Sequence, residues 1–300
     1  GWPPRGWLVV ACDVGQGDAL ALAVGPGTAV VVDAGPDADT VDGCLDRLGV
    51  RRIPVLVLTH FHADHVDGLA GVLAGRTVDE ILVSPFAEPA SAARAVHRAA
   101  ASGKVPVRVG VAGAARALGQ LRLDLVWPRA AGATPEADAD SYAGGADEGS
   151  GPNNASVVAL AQVRGVRILL TGDIEPPAQA ALLASGVGLR ADVLKVPHHG
   201  SAHQDEQFAA AVGPAIALVS AGAGNDYGHP AAQTVFALRS TGARVLRTDL
   251  DGDLAVSRIG DRLSASTRGS WIDRTVKVAA SRVGPARPAM NERSALGAGA

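Results

Sequence analysis

Apolar runs of strand length recur along the chain, separated by glycine, proline and aspartate. Residues 8–12, 19–24 and 28–32 are such runs, joined by Gly15-Gln16-Gly17-Asp18 and Gly25-Pro26-Gly27, and they predict an antiparallel meander. Helical periodicity follows over 39–48 and stops at Gly49. Residues 55–58 are wholly apolar, as in a strand covered on both faces. A helix is expected over 67–73, a strand over 81–83, a helix over 90–101, and strands over 105–111 and 121–126.

The segment 130–152 is rich in Ala, Gly, Asp and Ser, has little periodicity, and reads as a flexible insertion. A hairpin over 156–162 and 166–170 turns at Arg164-Gly165. Further on, helices are expected over 176–184, 205–212 and 231–240. Strands are expected over 193–196, 217–219, 244–247 and 253–257, the last two flanking Asp251-Gly252. Sheet first, strand–helix alternation next and sheet plus helix again predict two stacked sheets with helices outside, an α+β fold in an αββα four-layer sandwich. Residues 1–269 read as one domain, and 270–300 as a disordered or linker tail without a core pattern.

Composition narrows the picture. Hydrophobic residues make up 47% but aromatics only 3%, so the core is built from Val, Leu, Ala and Ile. The net charge of −3 gives no global basic field for coating nucleic acid, although bound cations can supply positive charge locally. Cys12 and Cys44 lie in no CxxC spacing; they pair only if the fold brings them together, and two separate small buried residues are the expectation. No apolar run reaches the ~18 residues of a membrane helix, and no lipid-inserting segment is expected. The start, Gly1-Trp2-Pro3-Pro4, lacks Met and any basic-then-apolar leader. The expectation is therefore a domain of a longer protein.

The candidate chemistry sits directly after the apolar run 55–58. Thr59-His60-Phe61-His62-Ala63-Asp64-His65 places three of the chain's eight histidines and an aspartate in one loop. His60 and His62 are two apart, so in extended chain both side chains point the same way. Asp64 and His65 follow as the chain turns, and one loop can thus offer ligands to two adjacent cations. Two more histidines, His198 and His199, follow another strand-like run. His97 and His203 read as surface residues.

The spacing His60-x-His62-x-Asp64-His65 resembles the signature of the metallo-β-lactamase superfamily. Val31-Val32-Asp33-Ala34-Gly35, Leu169-Leu170-Thr171-Gly172-Asp173 and Val196-Pro197-His198-His199-Gly200-Ser201 resemble its other segments in order. Within it, Asp13-Val14-Gly15-Gln16-Gly17-Asp18-Ala19, Asn153-Asn154-x-Ser156, Lys195 to Ser201 and Tyr227-Gly228-His229-Pro230 are similar to the ComEC family of DNA-uptake competence proteins. That resemblance implies a metallo-β-lactamase fold on the extracytoplasmic face of the cell membrane. There it would follow a polytopic membrane channel of the same protein and act as a nuclease on incoming DNA.

The resemblance also implies the site. His60 and His62, with Asn154 or Asn153, would hold one divalent ion; Asp64, His65 and His199 a second; and Asp173 would bridge. Many superfamily hydrolases carry a histidine where Asn153-Asn154 stands. An asparagine carbonyl is a harder ligand, which moves preference from Zn toward Mn or Mg. Asp33 either ligates or orients a ligand histidine. Of His198 and His199 one ligates, with His199 favoured. His229 either protonates a leaving oxygen, binds phosphate or fixes its loop. Asp64 is grouped with it as catalytic. Asp13, Gln16, Asp18, Ser201 and Tyr227 are expected to support the site or face substrate, with Asp13 alternatively capping its turn. Arg108, Arg122, Arg129, Arg244, Arg247 and Arg258 either line a DNA path or form a solvated face. The expected activity is a binuclear phosphodiesterase cutting DNA. The alternatives are a lactonase- or β-lactamase-like hydrolase and a non-catalytic DNA-guiding domain.

Overall fold

The computed structural model describes residues 1–130, 150–260 and 262–269. The chain first lays down β1 (Trp7–Ala11), β2 (Leu20–Gly25), β3 (Thr28–Val32), β4 (Arg52–Ile53), β5 (Leu56–Leu58), β6 (Thr77–Val78), β7 (Ile81–Val83) and β8 (Val107–Val109). It then builds a second sheet from β9 (Ala115–Leu118), β10 (Leu121–Trp127), β11 (Val158–Val163), β12 (Val166–Leu170), β13 (Val193–Lys195), β14 (Ile216–Val219) and β15 (Arg244–Arg247). It returns to the first with β16 (Leu254–Ile259) and β17 (Arg262–Thr267). The first sheet runs β17-β16-β1-β2-β3-β5-β7-β8, with β4 on β3 and β6 on β4; the second runs β15-β14-β13-β12-β11-β10-β9.

Side chains alternate across each strand, and both faces of both sheets are covered. Val10, Val31, Leu56 and Leu58 face outward, against Val41, Leu45, Val72 and Val96 of the helices Ala38–Arg47, Leu69–Leu73 and Ala90–Ser102. Their neighbours Val9, Ala11, Val30, Val32 and Val57 face inward and meet Leu123, Leu125, Ile168, Leu170 and Leu218 of the second sheet. Leu169, Leu194 and Ala217 turn to a third layer with Leu182, Phe208 and Leu238. This is the αββα sandwich, and it explains why the interior strands β1, β2 and β5 are wholly apolar.

The tertiary structure departs from the sequence reading in particular places. The helix expected over 67–73 is two short pieces, Ala63–Val66 and Leu69–Leu73, the second packed so tightly that a Cβ on Gly71 would lie 1.9 Å from the Ala38 carbonyl oxygen. Strands β9 and β17 went unread because neither holds a fully buried residue: β9 alternates exposed and partly buried positions, and β17 is polar with exposed ends. Most of the expected insertion lies outside the described residues, as does the tail 270–300. Residues 150–152 of the expected insertion, however, belong to the helix Ser150–Asn154, in which Ser150, Pro152, Asn153 and Asn154 are buried.

Cys12 and Cys44 are not separate thiols but a disulfide, with Cα atoms 6.0 Å apart. Cys12 follows β1, and Cys44 lies on the buried side of the helix that packs over it, so packing alone brings them within bridging range.

Candidate metal centre

The site lies where strands of both sheets end. The loop after β5 begins at Thr59, and Asp33 just after β3 receives it. Asp33 Oδ1 accepts from the Thr59 backbone N–H at 2.7 Å, and Oδ2 accepts from the Thr59 hydroxyl at 2.9 Å. The same Oδ2 lies 2.9 Å from His65 Nδ1. Asp33 has φ 60°, a left-handed backbone rare outside glycine, which marks a functional constraint. Its carboxylate is thus consumed by the loop and by His65, the arrangement that orients a ligand histidine.

Four ligand atoms converge beyond it. Those of Asp64, His65, Asp173 and His199 all lie within 4.8 Å of one another. Asp173 Oδ2 is 3.2 Å from His65 Nε2 and 3.1 Å from His199 Nε2, and Asp64 Oδ2 is 3.1 Å from His199 Nε2. His199 Nδ1 faces the Ser220 carbonyl oxygen at 3.0 Å. Beside this group His60 Nε2 and His62 Nδ1 approach to 3.0 Å, while His60 Nδ1 contacts the hydroxyls of Thr59 and Ser156 at 3.1 and 3.3 Å. The His60 and His65 ring centres are 4.1 Å apart, so the two groups adjoin.

His198, His199 and Gly200 have φ of 48°, 51° and 77°. Three successive left-handed residues turn the chain so sharply that the two imidazoles diverge. His199 enters the cluster, whereas His198 Nδ1 faces Glu175 Oε1 at 3.3 Å and its ring lies 5.2 Å from that of His229. Neither His198 nor His199 is glycine, and the cost of this backbone, of order 1–3 kcal/mol per residue, is tolerated where it builds a site.

Two imidazoles and two carboxylates at this spacing suit a divalent cation. One buried atom supports that fit: His65 Nε2 is aimed into the cluster with Asp173 Oδ2 3.2 Å away, yet it completes no well-directed hydrogen bond there. Burial opposes charge on His65 and His199, but Asp173 and its neighbouring carboxylates outweigh it and hold both pKa values well above the ordinary imidazole range. Asp173 is likewise opposed by burial but held well below the carboxylate range by His199, His65 and Lys195. His60 is pushed well below its range by burial and by the charge on His65. Without a cation, the surrounding carboxylates favour the charged forms of His65 and His199.

A pH dependence follows. Raised imidazole pKa values stabilise the metal-free fold fully below the unfolded-state value of about 6.5, and this is lost as pH rises through the folded-state values. Lowered carboxylate values stabilise it above about 3.9 and are lost in acid. The EDTA-treated chain is expected to unfold at lower urea at about pH 10 than at about pH 6. The metal-loaded chain, its protons already displaced, is expected to show no such alkaline loss. Urea titrations of both forms check this, and a flat midpoint in the metal-free chain would refute the charge pairing.

The remaining predicted residues are placed as follows. Asn154, expected to offer its carbonyl to a cation, accepts from the Glu175 N–H at 3.1 Å, and Trp127 donates to its backbone oxygen. Asn153 donates to Glu175 Oε1 at 3.0 Å, and its own buried Oδ1 has no partner. Asp13 lies apart from the cluster and accepts from Gly15 N–H, capping its turn. Gln16 Oε1 accepts from Gly222 N–H and ties that turn to the far rim. Gly17, with φ 139°, leaves room for the Asp64 carbonyl, which a Cβ would meet at 2.2 Å. Ser201 caps its own loop through His203 N–H.

His229 is half-buried with its Nδ1 unpartnered. Burial and the nearby His198 push its pKa down to about 4. The exposed Tyr227 ring stacks against it at 5.9 Å. Arg108, Arg122 and Arg247 pair with Glu80, Asp124 and Asp249, and Arg258 donates to the Gly260 and Arg164 carbonyls. The first three are locally neutralised by carboxylates.

Sequence reasoning gave no role to Lys195, which stood only at the start of the ComEC-like segment ending at Ser201, and did not single out Glu175. A lysine inside the apolar run 193–196 was the available signal for the first. Nothing short of the fold marks Glu175, whose carboxyl is held at about 2: His198 and Asn153 bind the carboxylate and overcome its partial burial.

The family model "Metallo-beta-lactamase superfamily" matches residues 12–220. ComE operon protein 3 of Bacillus subtilis is 29% identical over 214 residues, 70% of this chain and 25% of that protein. Competence protein ComA of Neisseria gonorrhoeae is 36% identical over 104 residues, 34% of this chain and 15% of that protein. The chain thus spans a quarter or less of these relatives' length. Among solved structures, YhfI from Bacillus subtilis aligns with TM-score 0.49 and 9% identity over 80% of this chain and 96% of that one. Zn(2+)-bound PqqB from Methylobacterium extorquens aligns with TM-score 0.48 and 12% identity over 80% and 98%.

Proposed function

The chain belongs to the metallo-β-lactamase superfamily, and on that premise we propose that it is a binuclear metal-dependent phosphodiesterase cutting DNA during uptake. Its relatives are competence proteins. The observation that carries the reading is the pairing of the Asp64–His65–Asp173–His199 cluster with His60 and His62 next to it.

In this reading Asp64, His65, Asp173 and His199 would hold one divalent ion, and His60 and His62 beside them would hold the other. Two such ions, Mn or Zn, would supply Lewis-acid stabilisation of phosphoryl oxygens and acidify a water at neutral pH. The chain's own groups prepare this. Asp33 and the Ser220 carbonyl would each accept a hydrogen bond from the Nδ1–H of a histidine, leaving Nε2 of His65 and His199 free to ligate. His229, with its pKa lowered to about 4, is neutral at pH 7 and serves as a hydrogen-bonding group to a phosphate oxygen rather than as an acid. Local cations explain how a chain of net charge −3 would bind a polyanion.

The buried disulfide supports an oxidising, extracytoplasmic location. No helix among the described residues is long and apolar enough to cross a membrane. The relatives' greater length is consistent with a membrane channel elsewhere in the full-length protein.

Cleavage of single- and double-stranded DNA across Mn, Zn and Mg, beside His65→Ala, tests the reading. Metal-dependent cutting that the variant loses is expected. Turnover of a β-lactam or lactone without DNA cleavage would replace it with another hydrolase activity, and no turnover of any substrate would leave a DNA-guiding role.

A further inference from the structure

Lys195 ends β13 with its side chain 1% exposed, among the largest fully buried side chains of the chain. A buried ammonium persists only when paired. Its Nζ pairs with Asp18 and lies 3.1 Å from the Gly172 carbonyl oxygen and 3.4 Å from Asp173 Oδ1. The other oxygen of the same carboxylate, Oδ2, faces His65 and His199 at 3.2 and 3.1 Å. The two oxygens of Asp173 therefore have different tasks.

Asp18 is itself held by the cluster's surroundings. Its backbone N–H donates to the Asp64 carbonyl at 3.2 Å, its backbone oxygen accepts from Gly35 N–H at 2.7 Å, and its Oδ1 lies 3.5 Å from His199 Nδ1. Gly17, which admits no Cβ against the Asp64 carbonyl, brings it there. The ammonium is thus anchored from one side by the first loop of the chain and directed on the other at Asp173.

We propose that Lys195, anchored by Asp18, is a positioning residue of the metal centre: by engaging Oδ1 it restricts Asp173 to presenting a single oxygen, Oδ2, to the cations. It also offsets one of the carboxylate charges that Asp18, Asp33, Asp64 and Asp173 concentrate there. The inference rests on the metal-centre reading above but not on the nature of the substrate.

The test is zinc affinity and stoichiometry, measured by competition with a chromophoric chelator, for Lys195→Met and for the doubly neutral Lys195→Met/Asp18→Asn. The double variant removes Lys195 and Asp18 together, so neither is left as an unpaired buried charge, while Asp173 keeps its contacts with His65 and His199. Both are expected to bind zinc about 10–100-fold more weakly, the usual effect of losing a group that orients a ligand, with the double variant unfolding near the wild-type midpoint. Wild-type zinc affinity in the double variant would make the pair merely structural and overturn the proposal.

If neither variant folds, a crystal structure of the zinc-loaded wild-type chain decides. Asp173 Oδ1 on Lys195 with only Oδ2 toward zinc is expected, and both oxygens on zinc would overturn the proposal. A chain that binds zinc in this way but cuts no DNA refutes the nuclease reading and leaves this one standing.

Discussion

Asp173→Asn is expected to lower metal-dependent DNA cleavage by at least about 10³-fold, the scale of losing a preorganised charged group in an active site, and to reduce bound metal below wild type. Asparagine preserves volume and one carbonyl oxygen but removes the charge. That charge faces two imidazole nitrogens and an ammonium simultaneously. Its partners hold its pKa well below the ordinary range, so the wild-type group is a carboxylate at any working pH. Cleavage rates and elemental analysis of both proteins check this. An Asn variant that keeps full metal content and wild-type cleavage would show that Asp173 does not bridge the ions.

The second large effect concerns stability. The disulfide closes a loop of sequence separation 32. Restricting such a loop in the unfolded chain is worth roughly 3–4 kcal/mol. Cys12→Ser with Cys44→Ser is therefore expected to lower the melting midpoint by roughly 10 °C at this chain size. Both cysteines are at most 1% exposed, so reductant acts on the folded chain only as fast as it opens locally. Calorimetry of the double variant and a time course of thiol release in dithiothreitol measure the two effects. An unchanged midpoint would mean that the unfolded chain is already compact around this loop.

The elements that were legible are those whose pattern is local. The meander β1–β3, the strand β7 and the helix Pro176–Ala184 lie where hydrophobic periodicity and turn residues place them. Strands β9 and β17, each about half-exposed along its length, give no such pattern, and their partners β10 and β16 recruit them through backbone pairing. The helix Ser150–Asn154 contains glycine and proline, poor helix formers, and burial of Pro152, Asn153 and Asn154 imposes its conformation.

Within the site the same division holds. His60, His62, Asp64 and His65 were legible together because they are neighbours in the chain, and neighbours share a loop whatever the fold does. Asp173 and His199 became legible as strand-end residues in the expected order. What the amino-acid sequence determined by itself was this donor set and the alternation that builds two sheets covered on both faces.

Tertiary structure decided the rest. It closed the Cys12–Cys44 bond, committed Asp33 to His65 Nδ1, separated His199 from His198, engaged the Asn154 carbonyl and buried Lys195 against Asp18 and Asp173. Each depends on residues far apart in sequence brought within a hydrogen-bond length, and the energy of such a contact is set by desolvation and neighbouring charge, quantities that exist only once the chain has packed.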